Sequence, residues 1–121
     1  MSRQTIDRRD WKSFVDGFSR RHEGWLVSIG IEKDAAPRQY IVRDTPLHGI
    51  VAEANDGVSL MVFTGEGKPH ASHFANRPVS LVVEEDADGA ESELIIVENA
   101  GTRMVVEFRS PMRPELVDGI V

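Results

Sequence analysis

Four histidines, His22, His48, His70 and His73, carry the widest chemical reach in this sequence, and two of them stand three apart in His70-Ala-Ser-His73. On a helix, residues i and i+3 share a face, so two imidazoles at that spacing can bind one metal ion. On a strand they point to opposite sides. In that case Phe74 takes the core side, which sends Ser72 and His70 inward and His73 outward. A two-histidine site also needs a third ligand, and none stands at a telling spacing, so the plainer account of the pair is structural. His22 is explained as a helix-end residue whose charge suits the helix dipole. His48, beside Pro46 and Gly49, is given no role.

Other chemistries find less support. Asp86-Ala-Asp-Gly89 with Glu91 and Glu93 lacks the ligand spacing and closing glutamate of a calcium loop. Gly65-Glu-Gly-Lys68 has the wrong spacing for a phosphate loop, and Pro69 stands where Ser or Thr is required. There is no Gly-x-Ser-x-Gly nucleophile elbow. The chain has no cysteine, which excludes disulfides, thiolate metal sites and thiol catalysis. Trp25, Tyr40 and Phe63 are not interleaved with basic residues, so a single-stranded nucleic-acid platform is unsupported.

The elements that must position any site are legible in the apolar pattern. Trp11, Phe14, Val15 and Phe18 form one stripe at helical spacing. Asp7 suits the N-cap, Asp10 follows three residues later, and Ile6 and Trp11 sit at the positions of a hydrophobic staple. Arg20, Arg21 and His22 occupy the last turn, and Gly24 is a natural stop. A helix over about 7–22 follows. The remainder, about 24–109, reads as antiparallel strands with short connections. Trp25, Val27, Ile29 and Ile31 alternate toward a core. A strand over 40–43 is broken by Pro46, residues 47–54 continue extended, and Asn55-Asp56-Gly57 marks a hairpin. Residues 69–75 read equally as a helical turn or a strand. Around Asn99-Ala-Gly101, pairing Glu98 with Thr102 sets Ile96 beside Met104 and Leu94 beside Val106. The other face of that hairpin holds Ile95, Val97 and Val105, an apolar set that the N-terminal helix or a second subunit must cover. Residues 110–121 read as a tail. The sum is α+β: an N-terminal helix on a curved antiparallel sheet of about six to seven strands, open or barrel-like.

With 121 residues the chain is expected to be a single domain spanning 1–121. Hydrophobic residues make up 40%, an ordinary globular share that argues against disorder. Twenty acidic against 14 basic residues leave a formal charge of −6, which disfavours nucleic acid and anionic membranes as partners. The charge is uneven: residues 1–22 are net +3, while 84–98 hold seven acids and no base. That pairing suggests either attraction between protomers or, more simply, solvated surfaces. No apolar run approaches the ~20 residues of a membrane span, and residues 1–10 contain no signal-peptide core. The expected setting is soluble and cytoplasmic.

Several segments together resemble a family of short, single-domain bacterial proteins of unknown function. They are Phe18-Ser-Arg-Arg-His-Glu-Gly-Trp-Leu-Val-Ser-Ile, Pro46-Leu-His-Gly-Ile, His70-Ala-Ser-His73, Ser92-Glu-Leu-Ile-Ile-Val, and Val106-Glu-Phe-Arg-Ser110 running into Pro114-Glu-Leu-Val-Asp-Gly119. The resemblance spans nearly the whole chain in order. It implies no established activity or cofactor.

With no catalytic set in view, the expectation is a non-catalytic binding or interaction domain, self-associating as a homo-oligomer through Ile95, Val97 and Val105. The rival is a small metal-binding protein using His70 and His73. A third reading is ligand capture in a barrel mouth near Trp25 and Phe63. The cofactor, if any, is left open.

Overall fold

In the computed structural model the described residues are 2–34, 36–55, 57–65, 71–75, 78–87, 89–99 and 101–112. Eight strands and one α-helix follow in chain order: β1 Ser2–Thr5, α1 Trp11–His22, β2 Leu26–Lys33, β3 Gln39–Asn55, β4 Gly57–Thr64, β5 Ala71–Ala75, β6 Ser80–Glu85, β7 Glu91–Asn99 and β8 Thr102–Met112. They form one antiparallel sheet in the order β1-β6-β7-β8-β2-β3-β4-β5, with β1 and β5 at its two edges. The sheet is open rather than a closed barrel, and it has eight strands rather than six or seven.

The helix forms where its stripe requires. Trp11, Val15, Phe18 and His22 are buried along one side. Asp7 caps a short 3-10 turn, Arg8–Asp10, accepting from the Arg9 amide at 3.2 Å, and the α-helix continues from it. Ile6 is buried and its carbonyl accepts from Trp11 Nε1 at 2.9 Å, so the expected staple is also hydrogen-bonded. Gly24 ends the helix at φ +84°, a conformation that glycine adopts without steric penalty.

One face of the sheet meets α1. It contributes Val27, Ile29, Ile50, Leu60, Val62, Leu81, Leu94, Ile96 and Val106, all buried. The pleat fixes this set, since residues i and i+2 share a face. The pairings Ile96 with Met104 and Leu94 with Val106 occur as expected, while the turn closes through Asn99 and Thr102, absorbed by an irregularity between Val97 and Asn99.

Three expectations are corrected. Residues 40–43 and 47–54 are one 17-residue strand, β3, which passes through Pro46. Its first half pairs with β2, and its second half, after a bulge between Leu47 and Gly49, pairs with β4. A bulge absorbs the break that a proline would otherwise impose. Residues 2–5 form an edge strand on β6, although all four are exposed and carry no apolar pattern. Finally, β8 runs on to Met112, so the tail begins later than 110. Among the described residues no helix is long and apolar enough to cross a membrane.

Candidate functional site

His70 lies outside the described residues. His73 sits in the middle of β5, paired with Val62, and so shares the helix-facing side with buried Leu60 and Ala75. This reverses the expected orientation. Phe74 points outward and is 54% exposed, because the register with β4 sends the odd-numbered residues of β5 toward the core. Burial lowers the His73 pKa, and its Nε2 is enclosed without a hydrogen-bond partner. Among the described residues, no three His, Asp or Glu side chains converge as metal ligands do. His48 borders an open cleft of about 410 Å³ with Glu23, Leu26 and Leu47. Trp25 packs edge-on against Phe108 on the core side, whereas Phe63 alternates with core-facing Val62 and Thr64 and points outward. The two do not line one cavity.

His22 is the largest surprise. It is fully buried, its Nδ1 2.9 Å from the Phe18 carbonyl and its ring stacked 4.4 Å from that of Phe108. Its Nε2 lies 3.4 Å from Glu91 Oε1, and Arg21 Nη2 lies 3.3 Å from Glu91 Oε2. Glu91 reaches this side because β7 is irregular between Glu91 and Glu93, and a bulge re-aims the side chain that precedes it. On the neighbouring strand β6, whose Glu85 pairs with Glu91, Glu84 is bridged by Arg3 at 3.2 Å. The basic N-terminal segment and the acidic segment therefore meet within one chain.

On the face away from the helix, the sheet divides into two halves of different chemistry. The first half covers β6, β7, β8, β2 and the start of β3. Val82, Ile95, Val105, Gly30 and Tyr40 form one row across these strands. Arg38 lies over Gly30: a Cβ there would stand 2.5 Å from Arg38 Cγ. Its guanidinium contacts Glu32 at 2.7 Å and Glu93 at 2.9 Å, and also binds Glu107, which accepts from the Tyr40 hydroxyl at 2.5 Å. Arg103 bridges Glu32 at 2.6 Å. Burial opposes the Arg38 charge, but hydrogen bonds to Glu93, Glu32 and Glu107 outweigh it and raise its pKa. The hydrogen bond from Arg38 holds Glu32 below the usual carboxylate range despite burial, and that to Glu107 raises Tyr40. This charged layer sits in the same rows as the apolar set expected to need a cover. Ile95 and Val105 are only 4% and 1% exposed in the single chain, and Val97 is half-buried.

The second half has no such layer among the described residues. Val51, Met61 and Phe74 form a row across β3, β4 and β5, with Gly49, Phe63 and Ser72 as the next row. Val51 is 39% exposed and Met61 and Phe63 are half-buried. The outward rows end at β5, an edge strand. Sequence reasoning missed both Phe74 and Arg38. Aromatic character alone points Phe74 to the core, and only the pairing with β4 turns it outward. Arg38 gives no local signal, although a glycine inside a strand does signal close approach by another group.

Comparison with curated proteins and with solved structures finds no match. The model of a family of unknown function, DUF5335, matches residues 2–116, the span that contains every strand, the helix and both outward halves, and the chain belongs to that family.

Proposed function

We propose that the protein is a non-catalytic interaction domain that self-associates through the outward face of β3, β4 and β5. The observation that carries this reading is the contrast between the two halves of that face. Where β7 and β8 present apolar residues outward, the chain lays Arg38 and its carboxylate partners over them. Where β3, β4 and β5 do so, Val51 and Phe74 stand open to solvent. Contiguous exposed apolar surface of this kind marks a contact surface more often than a scattered single residue does. Of the described histidines, His22 is buried beside Glu91 and His73 Nε2 is enclosed.

Native mass spectrometry of protein purified without chelator, backed by sedimentation velocity, tests the reading. The expected result is a bare dimer whose population grows with concentration, and which Phe74→Asp abolishes while far-UV circular dichroism is unchanged. A strict monomer at every concentration overturns it. A mass increment equal to a metal ion, lost in His70→Ala and His73→Ala, replaces it with the metal-binding reading.

A further inference from the structure

We infer that His22 is held inside the fold as a doubly protonated imidazolium at neutral pH, closing an Arg21–Glu91–His22 latch between the end of α1 and the start of β7 that loosens as the pH rises. The inference is independent of the self-association proposed above.

The hydrogen-bonding atoms around the ring carry the argument. Nδ1 lies 2.9 Å from the Phe18 carbonyl oxygen. A carbonyl only accepts, so Nδ1 carries a proton. On the other side, Nε2 lies 3.4 Å from Glu91 Oε1. A bare ring nitrogen and a carboxylate oxygen would set lone pair against lone pair there. A proton on Nε2 turns that opposition into attraction, and with Nδ1 already protonated the ring is then an imidazolium. The Arg21 Nη2 lies 3.3 Å from each Glu91 oxygen and favours the carboxylate, so the proton belongs to the ring.

The surroundings decide whether a buried cation can be held. His22 and Glu91 are both buried, and burying a charge is costly unless a partner is buried with it. Their attraction is then little screened by salt. His22 is the last residue of α1, where the helix dipole favours positive charge. Its ring centre lies 4.4 Å from those of Phe108 and Phe18, and aromatic faces attract cations. The charged groups facing the ring are Glu91 from β7 and Arg21 from α1. Arg21 opposes a second cation, but it is partly exposed and is itself paired with Glu91. Glu85 of β6 pairs with Glu91 in the ladder and adds negative charge. Phe108 of β8, and Trp25 just before β2, present uncharged rings.

The pH dependence follows by linkage. In the unfolded chain a histidine loses its proton near about pH 6.5. The fold keeps the His22 proton to higher pH. The latch therefore contributes fully below about pH 6.5 and is lost as the pH rises through the folded titration point.

Nitrogen-15 NMR of the histidine rings on the unmodified chain tests this. At about pH 7.5 both His22 ring nitrogens should read as protonated, whereas in urea the same ring should be about nine-tenths neutral. In Glu91→Gln the ring should become neutral at that pH, and the fall of the urea midpoint between about pH 7 and about pH 9 should shrink. A neutral His22 with the proton on Nδ1 alone in the unmodified chain overturns the inference, and needs no variant to fold. A doubly protonated ring that survives Glu91→Gln overturns the latch, because Glu91 is then not what holds the charge.

Discussion

Arg38 lies across Gly30, with its Cγ 2.5 Å and its Cδ 2.6 Å from the position a Cβ would take. Glycine inside a strand ordinarily costs roughly 0.5–1 kcal/mol relative to alanine. Here the missing side chain admits the arginine that ties Glu32, Glu93 and Glu107 together. Gly30→Ala should therefore destabilise by about 1–3 kcal/mol as Arg38 is displaced. In an Arg38→Ala background the same change should be neutral or stabilising. A double-mutant cycle by urea denaturation reads the coupling, and additive effects would show that the two residues act independently.

Glu32 titrates below its ordinary value of 4.5 in the fold, chiefly through its hydrogen bond with Arg38. The sign follows from linkage. Its contribution is fully present above about pH 4.5 and is lost as the pH falls through the lowered folded value. The urea midpoint should therefore drop as the pH falls below about 4.5, and it should drop less in Arg38→Gln. Equal slopes in both proteins would detach Glu32 from the arginine.

His73 shifts in the opposite chemical sense, because burial disfavours its protonated form. Above an unfolded value of 6.5 both states are neutral and the site costs nothing electrostatically. As the pH falls below that value the unfolded chain takes up the proton first, so stability declines toward the lowered folded pKa. His73→Leu should remove this part of the pH dependence. It should also match or exceed the original stability at neutral pH, since the enclosed Nε2 has no partner to lose. A variant less stable at neutral pH would mean that the imidazole makes a contact worth keeping.

Trp11 is 2% exposed and donates its indole N–H to the Ile6 carbonyl. Trp11→Ala should cost about 3 kcal/mol or more, the usual scale for deleting a buried aromatic side chain. Trp11→Phe should recover the packing and lose only the hydrogen bond, about 1 kcal/mol. An unchanged midpoint in Trp11→Ala would show that the helix does not dock by this face.

The helix and the β7–β8 pairing were legible because each depends on residues close in the chain. The Trp11 stripe, the Gly24 stop and the Ile96–Met104 register are all local patterns. What escaped was long-range or irregular. Nothing in Ser-Arg-Gln-Thr announces a strand, since β1 exists only because β6 offers it an edge. The outward orientation of Phe74 is set by the long-range register with β4, which its aromatic character does not announce. Glu91 reaches His22 through an irregularity in β7 that no periodicity encodes. Opposite charge in residues 1–22 and 84–98 was visible, but its partners, Arg3 with Glu84 and Arg21 with Glu91, lie within one chain.

The pairing of Ser2 with Glu85 has a consequence for how the chain is made. β1 cannot dock until its partner β6, some eighty residues later in the chain, has been made. The β2 strand likewise waits for β8 on one side. Such distant pairings slow folding and are characteristic of β-rich topologies. While the intervening residues are being made, β1 has no strand to pair with, and the sheet is completed only after β6 and β8 have formed.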